Sequence, residues 1–310
     1  MSSYQAISGA NISKLSPIGA VRQGWISALA WSPMGETLAI ASAAGLALYI
    51  NELGGEPTQM LDVHDGPVKC VAFSRDGRLA ATGSADTTVR LWNIDPETRQ
   101  LSERTVLRGH DAAVNDVAFS PEGTMLVSCG GDHTVRMWNT EIGIPQFVFE
   151  GHTGEVEAVC FGLSGHLVIS GGRDNTLRLW DLKGETQGTV LGQHDDWVRE
   201  VCLSPGGTLL ASASKDMTVR TWDLYDAKQA SILQAHSGGA DTVNFTPDGA
   251  LLVTGGRDNA VKVWDAVSEQ QFATLDVHSK PVLSVRVNPT GSMIASGSGD
   301  NQVKLWAVTT

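Results

Sequence analysis

A fixed period constrains this chain more than any other feature. Histidines stand at His64, His110, His152, His194, His236 and His278, in steps of 46, 42, 42, 42 and 42 residues. Trp92, Trp138, Trp180, Trp222, Trp264 and Trp306 keep the same steps, as do Asp86, Asp132, Asp174, Asp216, Asp258 and Asp300. Four residues before each aspartate is a hydroxyl: Thr82, Ser128, Ser170, Ser212, Thr254 and Ser296. A glycine follows each histidine by 13 residues, from Gly77 to Gly291, and often closes a turn such as SPEG or TPDG. "GGRDNTLRLWD", starting at Gly171, returns as "GGRDNAVKVWD", starting at Gly255. Repetition on this scale means one supersecondary unit stacked many times, each copy too small to bury its own apolar face.

Each unit is written in strands. Apolar runs of strand length, such as VKCVAFS, LAATGSA and TVRLWN, each end at a turn signal, and a fourth, such as QFVFEGH, follows the tryptophan. The four extra residues of the first step fall between Asn93 and Gly109 and predict one longer loop. A seventh copy precedes the six, in WISALAWSPMGETLAIASAAGLALYI. It keeps the turn glycine, Gly35, but has Arg22, Ile40, Ala44 and Tyr49 in the four polar slots and one residue fewer in its turn. It reads as a degenerate copy decayed beside the closure point.

A unit with Gly-His near its start and Trp-Asp or Trp-Asn near its end resembles the WD-repeat β-propeller family, and the likeness runs from residue 20 to 306. The resemblance implies an all-β, seven-bladed β-propeller with four-stranded antiparallel blades. The blades are expected at about 20–62, 63–108, 109–150, 151–192, 193–234, 235–276 and 277–310. The chain stops after the third strand of the last blade, so an N-terminal strand at 10–19 is expected to complete that sheet and cover its edge.

Ser170, His152 and Asp174 contain the groups of a hydrolase triad. The same set recurs six times, however, whereas catalysis needs one tuned site. The resemblance implies a structural chain instead, in which Asp accepts from His and from turn amides, His bonds the hydroxyl, and the hydroxyl bonds the indole. Each such bond contributes about 1 kcal/mol. Burying a tryptophan contributes about 4–6 kcal/mol at ~25 cal/mol per Å², so packing dominates and the bonds fix geometry.

Function is therefore expected on what the blades leave free. In the family, three positions per blade point outward on the top face: three and five residues after the histidine slot, and the residue before the aspartate. They carry Trp25 and Lys69 in the early blades, and cluster Glu155, Glu157, Arg173, Trp197, Arg199, Lys215, Asp241 and Arg257 in blades 4 to 6. Trp197 has no place in the repeat, and tryptophan with arginine is the usual composition of an interface hot spot. Arg173, Lys215 and Arg257 form a cationic arc beside it. The expected partner is a protein or peptide with an acidic segment and an apolar anchor, bound by a non-catalytic scaffold. The alternative is a small-ligand-binding or enzymatic propeller that uses the central channel.

Composition narrows the remaining classes. The net charge of −12 opposes nucleic-acid binding, which requires a positive field. No phosphate loop or metal spacing is present, and His133 and His166, outside the repeat slots, are far apart, so neither cofactor nor metal is expected. Cys70, Cys129, Cys160 and Cys202 form no CxxC pair and suit a reducing compartment. The most apolar run, Leu38 to Ile50, is too short to span a bilayer, which takes roughly 20 residues. A cytoplasmic monomer is the expectation.

Overall fold

The computed structural model describes residues 4–50, 55–162, 164–183, 188–276 and 278–309. The expected start of blade 7 at Val277 and its end at Thr310 lie outside them. Among these described residues, twenty-eight strands form seven four-stranded antiparallel sheets. Blade 4 is typical, with strands Val156–Phe161, Leu167–Gly172, Thr176–Asp181 and Thr189–Gln193, each paired only with its neighbours. Blade 7 takes three strands from the C-terminus and its outer strand from the N-terminus: Leu15–Arg22 pairs antiparallel with Gln302–Val308. That strand lies further along the chain than the expected 10–19. Ile12–Lys14 is a 3₁₀ turn, and Ile12 itself is buried against blades 6 and 7.

The core lies between blades rather than within them. Seven apolar clusters occupy the seven seams, each built from facing residues of adjacent blades. Each repeat tryptophan is buried at such a seam. Trp180 packs on Val127, Cys129 and Met137 of the preceding blade, and Trp222 on Ala158 and Ile169. Burial of this flat, large ring is what locks one blade to the next. The turn glycines all have φ between 68° and 73°, a conformation that disfavours a β-carbon, which explains why the repeat keeps glycine there.

One regular distortion shapes the mouth of the central channel. The inner strand of every blade has a register shift at its second residue: Ser27, Lys69, Asn115, Glu157, Arg199, Asp241 and Leu283. A bulge inserts an extra residue and re-aims its side chain. Here the bulge residue and the one after it both line the central recess in six of the seven blades, and Asp241 alone does so in blade 6.

Candidate functional site

The polar quartets have uniform geometry. In all six complete blades, the histidine Nδ1 lies 2.7–3.0 Å from the aspartate and its Nε2 2.7–2.8 Å from the hydroxyl. The indole N–H donates to the same hydroxyl over 2.8–3.1 Å. The carboxylate also accepts from backbone, as Asp174 does from Thr153 and Thr176. Burial alone would raise these carboxyl pKa values. Hydrogen bonds from Thr88 and His64 outweigh it at Asp86 and hold that group at about 2. His236 and Lys262 likewise bring Asp258 to about 2. Burial keeps His64, His194 and His278 below the usual imidazole value despite their aspartates.

The order Asp–His–hydroxyl is that of a charge-assisted nucleophile. Access weighs against that use: all six hydroxyl residues are 0% exposed, and each hydroxyl is already engaged by both the imidazole and the indole N–H. Blade 1 replaces the whole set with one bond, from Gln23 Nε2 to the Tyr49 hydroxyl, over 2.8 Å.

The bulge residues Lys69, Glu157, Arg199 and Asp241 line the channel mouth rather than projecting from the rim. The next residue of each inner strand lies deeper, and sequence reasoning missed its role. Asp116 accepts the amide of Val159, Glu200 that of Val243, Thr242 that of Val285, and Ser284 that of Leu29, all over 3.0–3.2 Å. Each is a clasp from one blade to the inner strand of the next. Where the clasp residue is Cys70, Asp116 instead takes the following amide, Val117, with its second oxygen. The signal was present: the position six after the histidine slot is polar in four of the seven copies. Arg286 joins the ring by pairing with Glu200 at 2.6 Å. Burial pushes the Asp116 carboxyl up to about 7, with the nearby Glu200 charge adding to it.

The charged residues of blades 4 to 6 are brought together, but not as a free cationic arc. Arg173 pairs with Glu155 at 3.1 Å and closely with Glu157. Arg199 lies between Glu157 at 3.7 Å and Asp241 at 3.6 Å. Arg257 reaches Asp241 at 3.2 Å, and Lys215 reaches Asp196 at 3.3 Å. Burial raises the Asp241 pKa against the pull of Arg257 and Arg199. Trp197 is half-buried at the centre of this network. Arg173, Arg199 and Lys215 stand 4.6, 5.3 and 4.2 Å from the centre of its ring. Trp25, in contrast, is 51% exposed, and Lys69 is tied to Asn115.

Among the described residues no cluster of potential metal ligands occurs, and no helix is long and apolar enough to cross a membrane. The four cysteines are unpaired.

Comparison with known proteins agrees with this geometry. Yeast (Saccharomyces cerevisiae) COMPASS component SWD1 is 36% identical over 80 residues, covering 24% of this chain and 18% of that protein. The Arabidopsis thaliana Notchless protein homolog is 51% identical over 41 residues, 13% of this chain and 9% of its own. The bovine serine-threonine kinase receptor-associated protein is 53% identical over 38 residues, 12% and 11% respectively. The matches thus span less than a fifth of each of these relatives. The family model described as "WD domain, G-beta repeat" matches residues 55–93, 101–139, 143–181, 185–223, 227–265 and 269–307. With six matched repeats covering well over half its length and a seven-bladed ring to hold them, the chain belongs to the WD domain, G-beta repeat family.

Proposed function

We propose that the protein is a non-catalytic scaffold that binds a partner protein or peptide on the top face of blades 4 to 6. The observation that carries this reading is Trp197 framed by three cations at the rim of the channel. Arg173, Glu155, Lys215, Asp196 and Arg257 each keep roughly a third of their side chain exposed. Exposed pairs of this kind contribute only about 0–1 kcal/mol to folding. A partner carboxylate therefore replaces Glu155 or Asp196 at small cost and meets a cation already in place, and its apolar neighbour covers the Trp197 ring. Reading the quartets as braces supports the same conclusion, since their hydroxyls are sealed. The channel recess, about 80 Å³, is small beside the ~300–1,000 Å³ of small-molecule pockets, which weighs against the ligand-binding alternative. The names of two relatives, a COMPASS component and a receptor-associated protein, fit an assembly role. Free cysteines with pKa values raised by burial suit the reducing cytoplasm.

The test is affinity capture with wild type and a Trp197→Ala/Arg199→Ala variant of equal melting temperature. Loss of the captured partner supports the site, and equal capture by both proteins refutes it.

A further inference from the structure

The degenerate first blade leaves a gap in the top face. In blades 2 to 5 the turn from Ser84 to Thr88, and its counterparts, carries an aspartate and a threonine whose hydroxyl donates to it, as Thr88 does to Asp86 over 2.7 Å. Blade 1 runs from Ser42 to Gly45 with one residue fewer, and neither Ala44 nor Gly45 has a polar side chain. Gly45 has φ +111°, and a β-carbon there would lie 2.5 Å from the Leu61 carbonyl oxygen, so no side chain fills the space from that position. What remains is a notch of about 200 Å³ between Ala43, Gly45 and the Asp62–Pro67 loop of blade 2.

Its charges are uncompensated. Asp62 and Asp65 are exposed, and neither has an ion-pair partner among the described residues. The counterpart of Asp65 in blade 5 is Asp195, which Arg220 holds at 2.7 Å. The counterpart of Arg220 in blade 2 is Arg90, and it turns instead to Glu103. The base that this loop position receives in blade 5 is therefore missing at the notch. On the other flank of the same short turn stands Trp25, whose carbonyl accepts the Ala43 amide over 3.2 Å. The tip of its ring rests near Gly299, and Ala43 and Ala44 are too small to cover it, so half of it remains open.

We propose that this notch is a second docking site, which takes an arginine or lysine side chain of an extended partner segment. The basic group pairs with Asp65 and Asp62, supplying in trans what Arg220 supplies in cis, and an adjacent apolar side chain of the same segment covers Trp25. Among the described residues, the blade that lost its quartet thereby presents two acids without an ion-pair partner near an exposed aromatic. The site is separate from the Trp197 network and does not depend on it.

The test uses the full-length chain, immobilised and panned against a phage library of random linear peptides. Enriched peptides are expected to carry Arg or Lys within two positions of an aromatic or aliphatic residue. A fluorescein-labelled copy of the leading peptide should bind about tenfold more weakly to Asp62→Asn/Asp65→Asn and to Trp25→Ala, and progressively less with added salt. Both variants change exposed side chains, so circular dichroism melting should match wild type and exclude misfolding. Trp197→Ala/Arg199→Ala should bind the peptide as wild type does. The proposal is overturned if no peptide is enriched, if enriched peptides lack a basic residue, or if the double asparagine variant binds with unchanged affinity. Loss of binding in the Trp197/Arg199 variant alone also overturns it, by moving the site to blades 4 to 6.

Discussion

Removing one buried hydroxyl separates bracing from catalysis. The Ser170 hydroxyl donates to His152 Nε2 over 2.7 Å and accepts the Trp180 indole N–H over 2.9 Å, with no exposure to solvent. Ser170→Ala deletes both bonds and strands two buried polar groups. Leaving a buried donor or acceptor unsatisfied costs about 1–3 kcal/mol each, so the variant should lose about 2–6 kcal/mol. At roughly 2 °C per kcal/mol for a domain of this size, the melting temperature should fall by about 4–12 °C. Ser170→Thr is the control, because Thr82 and Thr254 fill the same slot in blades 2 and 6. It restores the hydroxyl and should melt within about 2 °C of wild type. Differential scanning calorimetry reads both, alongside hydrolysis of an activated ester. An alanine variant that melted like wild type would refute the bracing argument, and more so if it had also lost a hydrolytic activity.

Two further outcomes follow from the channel and the quartets. Thr242→Val keeps the shape of the clasp residue but removes the acceptor of the Val285 amide, so its melting temperature should fall by about 2–4 °C, for a loss of about 1–2 kcal/mol. Stability should also depend on pH with opposing contributions. His64, His194 and His278 have folded pKa values below 6.5, so as pH falls through 6.5 the unfolded chain takes up protons first and stability drops. Asp116, at about 7 when folded against 3.8 unfolded, binds its proton first in the folded state and so adds stability over the same descent. Asp116→Asn removes that counterweight. Urea midpoints measured from pH 7.5 to 5 should fall more steeply for the variant than for wild type, and parallel slopes would show that Asp116 does not titrate there.

The architecture was legible because packing repeats. Six of the seven seams are filled by the same tryptophan, with Tyr49 in the seventh, so the period in His, Asp and Trp is the period of the seams. The closing strand was displaced because nothing in the sequence before Leu15 marks where pairing begins, and the 3₁₀ turn at Ile12–Lys14 delays it. The clasp residues were missed for a definable reason. Simple alternation along a strand sends Arg199 and Glu200 to opposite faces, but the bulge between Val198 and Glu200 turns both inward. The rim was legible in composition but not in pairing. Arg173, Lys215 and Arg257 each find an acid from a different loop, and sequence spacing carries no record of that contact.

The central claim is that recognition occurs on the top face of blades 4 to 6. Hydrogen exchange of the captured partner complex, compared with the free protein, tests it most directly. The account predicts slowed exchange in the loops at 153–157, 173–175, 195–199, 215–217, 237–241 and 257–259, with the bottom face and the outer strands unchanged. Protection confined to the bottom face or the outer strands would contradict it.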